Sequence, residues 1–204
     1  RALKYLKGKP LTIRTLDVGN DKKVPSIEKF LSKSPNPALG LRAIRLTLAF
    51  PNIFKKQISA ILRASIYGNI RIMLPMVSNV SELLETKKLI SEVKIDLEKK
   101  RKRKKLKIKQ PKIGVLIETP AAALISEALA KNCDFFAIGT NDLTMYTLAI
   151  DRGDEEVAKI YDPGHLSVLK LIDLSAKSAK KNRIPISICG EMAGDTLFTS
   201  VLIG

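Results

Sequence analysis

Residues 135–142 read FFAIGTND, an uninterrupted apolar run that passes directly into polar residues. A strand that is apolar at every position, rather than at alternate ones, is typical of a parallel sheet covered on both faces. The sequence therefore predicts a buried parallel strand at residues 135–139. Four further runs of the same kind predict four more strands, at residues 11–15, 70–75, 113–117 and 184–188.

Segments with helical spacing of apolar residues separate these strands. The alternation of strand and helix predicts right-handed crossover units and a parallel sheet. Neither GxxxxGK[ST] nor GxGxxG occurs, so nothing in the sequence supports P-loop or Rossmann nucleotide binding. The predicted helices cover residues 43–49, 53–62, 83–97 with Ser81 as the cap, 121–131 and 166–181.

The composition indicates one globular domain, which we predict to span residues 1–204. The chain has 204 residues, of which 45% are hydrophobic, enough for one sizeable core. It contains neither an apolar run of membrane-spanning length nor the apolar core of a signal peptide, so we expect a cytoplasmic protein without membrane insertion. Because the chain opens on Arg1 and stops inside the apolar run VLIG, we interpret it as part of a longer protein.

The net charge of +16 raises the question of nucleic-acid binding. The basic residues are densest at positions 99–109, KKRKRKKLKIK, between a predicted helix and a predicted strand. This run contains no aromatic residue that would stack on bases, and the sequence has no nucleic-acid-binding motif. These observations favour a solvated connection and no nucleic-acid partner, while a basic anion-binding patch stays open as an alternative.

Polar residues follow four of the five predicted strands at the point where each strand ends. In a closed barrel the carboxyl ends of all strands converge on one mouth, where active sites are built. The recurrence of polar groups at these ends therefore favours a barrel with an active site over an open sheet. The residues concerned are Arg14, Asp17, Glu118, Asn141, Asp142, Cys189 and Glu191.

The residue types at these ends suit a phosphate ester and a divalent cation. Glu118 and Asp142 offer the hard oxygen ligands that Mg²⁺ and Mn²⁺ prefer. Arg14, Arg42 and Arg152 offer forked donors for phosphate or carboxylate, although each also suits a surface ion pair.

The two cysteines differ in their position relative to the predicted strands. Cys189 follows an apolar strand and precedes Gly190, so its thiol is placed at the predicted mouth. Cys133 instead precedes a strand, and we expect it to be buried in packing.

Several segments together resemble a known family, the C-terminal domain of Enzyme I of the bacterial sugar phosphotransferase system. Pyruvate phosphate dikinase and phosphoenolpyruvate synthase are similar in the ETP, GTNDL and CGE segments, but the RTLDVGNDK turn is closer to Enzyme I. The segments that carry the resemblance are IRTLDVGNDK (13–22), NPALGLRAIR (36–45), LRASIYGNIRIMLPMVS (62–78), IGVLIETPAA (113–122), FFAIGTNDLTMYTLAIDRG (135–153) and ICGEMAGD (188–195).

The resemblance implies a phosphoenolpyruvate site on a (β/α)8 TIM-type barrel, incomplete at both ends with about five of the eight strands present. It implies that Glu118 and Asp142 bind the metal, Mg²⁺ or else Mn²⁺. Arg14, Arg42 and Arg152 would bind the phosphoryl group, with Asn141 and Asp142 in contact with substrate. Cys189 would be the proton donor.

The resemblance also implies the activity of a larger enzyme. That enzyme moves the phosphoryl group of phosphoenolpyruvate to a histidine in a separate N-terminal domain and then to a phosphocarrier protein for sugar uptake, releasing pyruvate. It acts as a homodimer. The only histidine here, His165, lies in the context DPGHLS, and we expect a loop residue rather than the acceptor.

One departure and two alternatives accompany this interpretation. Asn20 replaces the second glycine of the family's GGDK turn, which affects the expected geometry around Lys22. The alternatives are a related enzyme, the dikinase or the synthase, and a non-catalytic module that binds anions or nucleic acid through its basic surface.

Overall fold

The computed structural model describes residues 2–19, 34–100, 108–151 and 153–203. The chain forms two compact units, one of Arg1–Met76 with Ser81–Ile113 and one of Val77–Val80 with Gly114–Gly204. Each unit combines parallel strands with helices. The interpretation of residues 1–204 as one domain stays a prediction.

The first unit is built on two parallel strands, β1 (Leu11–Arg14) and β2 (Ile70–Leu74). They pair in register from Leu11 opposite Ile70 to Arg14 opposite Met73. The helix Pro51–Ala64, which lies between them in the sequence, places Phe54, Ile58 and Leu62 in the core, each at most 1% exposed. The helices of this unit are α1 (Ala2–Tyr5), α2 (Ala43–Ala49), α3 (Pro51–Ala64) and α4 (Val80–Lys100), with a 3-10 turn at Ser65–Tyr67.

Three parallel strands form the sheet of the second unit: β3 (Lys112–Ile117), β4 (Phe135–Gly139) and β5 (Ile186–Cys189). Ile117 lies opposite Ile138 and Gly139 lies opposite Cys189, so the carboxyl ends of the three strands lie side by side. The helices are α5 (Pro120–Leu124), α6 (Ser126–Ala130), α7 (Thr140–Leu148), α8 (Glu155–Ala158), α9 (Leu166–Lys181) and α10 (Thr199–Ile203), with 3-10 turns at Glu191–Gly194 and Thr196–Phe198.

The predicted α/β class with five parallel strands is confirmed, and this architecture is consistent with an incomplete TIM-type barrel. Strand β4 is buried at every position, as its continuous apolar sequence predicts. Strands β1 and β5 instead alternate between half-buried and exposed residues, because one face of each lies toward solvent. The prediction of burial on both faces is therefore wrong for these two strands.

Three predicted boundaries differ from the structure for identifiable reasons. Helix α4 begins at Val80, so Asn79, another preferred capping residue, precedes it instead of Ser81. The helix predicted over 121–131 is two short helices, because Ile125 adopts φ −100° and ψ 17°, outside the helical region. Strand β5 starts late because the Ile184 N–H donates to the last turn of α9.

One surface contact in the second unit depends on pH. Glu127 on α6 accepts a hydrogen bond of 2.8 Å from Lys181 on α9, and Lys131 lies 3.4 Å away. The hydrogen bond and charge of Lys181, with a smaller contribution from Lys131, hold the pKa of Glu127 below its ordinary value of 4.5. This pairing therefore stabilises the fold above that pH and is lost as the pH falls through the lowered pKa.

The basic run does connect a helix to a strand, since α4 ends at Lys100 and β3 begins at Lys112. Ile108, the next-to-last residue of the run, is 1% exposed and therefore buried. Its residues 101–107 lie outside the described part of the chain. Among the described helices, none combines the length and the apolar character that a bilayer crossing requires.

Candidate functional site

A buried carboxylate joins two arginines just beyond the end of β1. Asp17 Oδ1 accepts hydrogen bonds from Arg42 Nε at 3.1 Å and from Arg42 Nη2 at 2.9 Å. Asp17 Oδ2 accepts from Arg42 Nη2 at 3.1 Å and from Arg14 Nη1 at 2.9 Å. Asp17 and Arg42 are 7% and 5% exposed, whereas the Arg14 side chain is 45% exposed. Asp17 and Arg42 thus form the buried part of the cluster, and Arg14 is the cation that reaches solvent.

Backbone contacts fix both partners of this cluster. The Thr15 N–H continues the ladder of β1 by donating to the Met73 carbonyl, and the Leu16 N–H donates to Gln57 Oε1 of α3. On the other side, the Ala43 N–H donates to the Val18 carbonyl at 3.3 Å, next to Asp17. The loop after β1 and the start of α2 are therefore held together by main chain as well as by side chains.

The carboxyl ends of β3 and β4 form a second cluster, in the other unit. Glu118 follows β3 directly and is 2% exposed. A Cβ atom at Gly139 would lie 2.9 Å from both Cβ and Oε2 of Glu118. Glycine at position 139 is therefore what gives the Glu118 carboxylate room beside the end of β4.

Thr119, the residue that follows Glu118, is held in place by its own hydroxyl group. Its hydroxyl donates to the Val77 carbonyl at 3.0 Å and accepts from the Ala122 N–H at 3.1 Å, which caps α5. Pro120 at the first helical position suits this helix start, because its ring already has the helical φ and no N–H is needed there.

Replacing Thr119 with alanine is expected to lower the free energy of unfolding by about 1–2 kcal/mol, because it removes a helix cap and leaves the Val77 carbonyl without this donor. Urea unfolding of Thr119→Ala measures the loss. Thr119→Ser keeps the hydroxyl and is the matched control, with a stability near that of the wild type. Equal losses in the two variants would contradict the role of the hydroxyl.

Asn141 and Asp142 lie in the first turn of α7, after β4. Asn141 Oδ1 accepts from the Glu191 N–H at 3.0 Å, and Asn141 Nδ2 donates to Glu191 Oε1 at 3.4 Å. The Tyr161 hydroxyl donates to the Asn141 carbonyl at 3.2 Å. The turn after β4 is thus tied to the segment after β5 and to Tyr161.

Cys189 ends β5 and is exposed, and the location of its thiol at a barrel mouth stays a prediction. The Thr140 hydroxyl donates to the Cys189 carbonyl at 3.1 Å, and the Cys189 thiol donates to the Ile138 carbonyl at 3.3 Å. Cys133 is half-buried, so the expectation of full burial is wrong. Cys133 precedes β4, and its thiol donates to the Phe135 carbonyl.

The structure groups the predicted site residues into two sets, one in each unit. Arg14 and Arg42 share Asp17, and the other set is Glu118, Asn141, Asp142 and Cys189. Arg152 lies outside the described residues, as does the turn with Asn20 and Lys22. His165 lies in the loop before α9 and caps that helix, its Nδ1 accepting from the Ser167 N–H at 3.3 Å.

Sequence reasoning missed several positioning residues that the structure identifies. Asp17 and Glu191 stood out only as polar groups after strands, and Thr140 and Tyr161 not at all. The position of Thr140, directly after an apolar strand and before Asn141, is the one signal from which a structural hydroxyl could have been predicted.

The sequence profile described as PEP-utilising enzyme, PEP-binding domain, matches residues 1–204. This chain belongs to that family. A phosphoenolpyruvate-protein phosphotransferase of Bacillus subtilis (strain 168) is 43% identical over 202 residues, 99% of this chain and 35% of the relative. The protein of that name from Priestia megaterium is 42% identical over 202 residues, 99% of this chain and 34% of the relative.

A relative of the same name from Cupriavidus necator is 42% identical over 203 residues, 100% of this chain and 34% of the relative. The chain thus spans about a third of the length of the curated relatives that it matches. Membership of the PEP-binding domain family confirms the resemblance drawn from the sequence segments. It also places both clusters in a domain of PEP-utilising enzymes.

The carboxylates of this PEP-binding domain fit a hard divalent cation by their chemistry. Within residues 2–19, 34–100, 108–151 and 153–203, no three His, Cys, Asp or Glu side chains gather as a protein-only metal cage. Mg²⁺ commonly takes one or two protein carboxylates and completes its shell with water and substrate oxygens. Glu118 beside the end of β4, and Asp142 in the turn that follows this strand, suit such a site.

Proposed function

We propose that this chain binds phosphoenolpyruvate for a phosphotransferase that passes the phosphoryl group to a protein histidine and then to a phosphocarrier protein for sugar uptake. Pyruvate is the other product. The observation that carries the proposal is the pair of arginines held on buried Asp17 at the end of β1, in a chain of the PEP-binding domain family. Forked guanidinium donors match the oxygens of a phosphoryl group.

The proposed roles divide between cations and carboxylates. Arg14 and Arg42 bind the phosphoryl group, and Arg152 is proposed as a third such residue. Glu118 and Asp142 would hold Mg²⁺, or Mn²⁺ in its place. The bound ion would offset negative charge on the substrate during phosphoryl transfer. Asn141 and Asp142 contact the substrate, and the contacts of Asn141 with Glu191 and Tyr161 fix the turn that carries both residues.

Cys189 supplies the proton in this proposal. Loss of the phosphoryl group leaves the enolate of pyruvate, and a general acid near its methylene carbon completes the reaction. A thiol with the reference pKa of about 8.5 is protonated at neutral pH and serves as that acid. The Thr140 hydroxyl, by holding the Cys189 carbonyl, fixes the end of the strand on which the thiol lies.

The larger context is also a proposal. The acceptor histidine belongs to a separate N-terminal domain of the whole enzyme, which acts in the cytoplasm as a homodimer. His165 serves as a helix cap and is not the acceptor.

Titration calorimetry of the chain with phosphoenolpyruvate and Mg²⁺ tests the proposal. Arg14→Ala and Asp142→Ala are each expected to weaken binding at least tenfold, because a charge-assisted contact contributes about 1.5–3 kcal/mol. Arg63→Ala and Asp173→Ala are the matched controls, since both side chains are exposed and lie outside the two clusters. Wild-type affinity in both site variants would remove the assignment.

Titration with nucleic acid at several salt concentrations tests the alternative of a basic binding module. The net charge of +16 is the observation that favours it. Nucleic-acid binding that falls steeply with salt and depends on residues 99–109, without phosphoenolpyruvate binding, would support that module instead.

A further inference from the structure

We propose that Asp17 is a positioning residue: its carboxylate fixes the direction and spacing of the Arg14 and Arg42 guanidinium groups for the incoming phosphoryl group. The inference rests on the proposed function and deepens it. It assigns a role to a buried acidic residue in what is otherwise a site for anions.

The geometry of the Arg42 contact sets the direction of its guanidinium. Asp17 binds the edge formed by Nε and Nη2, at 3.1 and 2.9 Å. A guanidinium group is planar and rigid, so contacts to two of its nitrogens fix the plane and the direction of the third. With its Nε–Nη2 edge on Asp17, Arg42 directs Nη1 away from the carboxylate.

The second oxygen of the same carboxylate sets the spacing of the two cations. Asp17 Oδ2 accepts from Arg14 Nη1 at 2.9 Å and from Arg42 Nη2 at 3.1 Å. Two guanidinium groups that share one oxygen are held at a distance that their mutual repulsion would otherwise increase. The shared carboxylate therefore keeps the two donors as a preformed pair.

The net charge of the cluster shows why a carboxylate is tolerated beside an anion site. Arg14, Arg42 and Asp17 together carry a net charge of +1, so the cluster still attracts a phosphate. Removing the carboxylate would raise that charge to +2 but would leave buried Arg42, 5% exposed, without its fork partner. Because Arg14 is 45% exposed, solvent screens much of the added attraction, and we expect the loss of orientation to dominate.

The backbone supports this assignment independently of the side chains. Arg42 is extended, with φ −140° and ψ 164°, and Ala43 has φ +50°, a left-handed conformation that alanine seldom adopts. The Ala43 N–H closes this corner onto the Val18 carbonyl. Strain of this kind persists only where surrounding contacts hold it, and here it turns Arg42 toward Asp17.

The test measures phosphoenolpyruvate affinity in the presence of Mg²⁺ for the full chain and two variants. Asp17→Asn keeps the shape but places an amide N–H₂ where one oxygen accepted from arginine. Asp17→Glu keeps the charge that pairs with Arg42 but displaces both guanidinium groups. Each is expected to raise the Kd at least tenfold, and the exposed carboxylate variant Asp173→Asn is the matched control.

The affinity is measured well below the thermal unfolding midpoint of each variant, so that every variant is folded. A purely structural role of Asp17 would then lower the midpoint but leave the Kd unchanged. If Asp17→Asn fails to fold, Asp17→Glu alone decides. A Kd within twofold of the wild type in a folded variant would overturn the proposal.

A readout without ligand separates this inference from the proposed function. In ¹⁵N NMR, the Nε–H signals of Arg14 and Arg42 are expected to be ordered in the wild type and averaged in Asp17→Asn. If the wild type did not bind phosphoenolpyruvate, the proposed function would fail, and this measurement would still judge Asp17. Unchanged arginine signals in a folded variant would show that Asp17 does not position them.

Discussion

Replacing Phe136 with alanine is expected to lower the free energy of unfolding by about 3–5 kcal/mol, because a buried phenyl ring is lost and the rigid surroundings leave a cavity. Phe136 lies within β4 and is 1% exposed. It pairs with Val115 on one side and Ile186 on the other, so the ring packs where all three strands of the second unit meet. Urea unfolding measures the change as a lower midpoint.

Tyr67→Ala is the control for this prediction, since it removes an aromatic ring that is 71% exposed. It is expected to change the stability by no more than about 0.5 kcal/mol. A loss below about 1 kcal/mol in Phe136→Ala would mean that the core around β4 closes over the missing ring. Loss of this packing is also expected to affect the candidate site, because β4 leads directly into the turn with Asn141 and Asp142.

The elements that the sequence predicted well are those with a single dominant signal. Strand β4 matches its prediction at both ends because every residue is apolar and Thr140 then starts a helix. Helices α2 and α9 also match, as each has an uninterrupted apolar stripe. In such segments burial and local propensity agree, so the pattern alone determines the structure.

Competing local contacts explain the elements that were predicted less well. Ile184 continues the apolar run of β5, but its N–H donates to the Ala179 carbonyl and so closes the preceding helix. Pro185 has no N–H to offer a strand partner. At Ile125 a turn of backbone divides a predicted helix in two. Hydropathy does not encode either event.

The candidate site was predictable as a set of strand ends but not as a set of partners. The contact between Asp17 and Arg42 joins residues 25 positions apart, and only the folded chain brings them together. From the sequence alone, Arg42 was a candidate for phosphate binding that also suited a surface ion pair. Its exposure of only 5% distinguishes it, and burial depends on tertiary structure.

Gly190→Ala is expected to lower the free energy of unfolding by about 2–6 kcal/mol, from two independent sources. Gly190 has φ +106° and ψ 179°, a region essentially confined to glycine, where another residue costs about 1–3 kcal/mol. A Cβ atom there would also lie 2.4 Å from Thr140 Oγ1 and 2.9 Å from Asn141 Oδ1. Such overlap adds about 1–3 kcal/mol.

Both atoms that the added methyl group would meet already hold the segment after β5. Thr140 Oγ1 donates to the Cys189 carbonyl, and Asn141 Oδ1 accepts from the Glu191 N–H. Gly190→Ala is therefore expected to displace Cys189 and Asn141 together, so that affinity for phosphoenolpyruvate falls with stability. Gly194→Ala is the matched control, because no heavy atom lies within 4 Å of its added Cβ, and urea unfolding should show a change of no more than about 0.5 kcal/mol. Equal stability of the two variants would contradict the view that the left-handed turn at Gly190 joins β5 to the turn after β4.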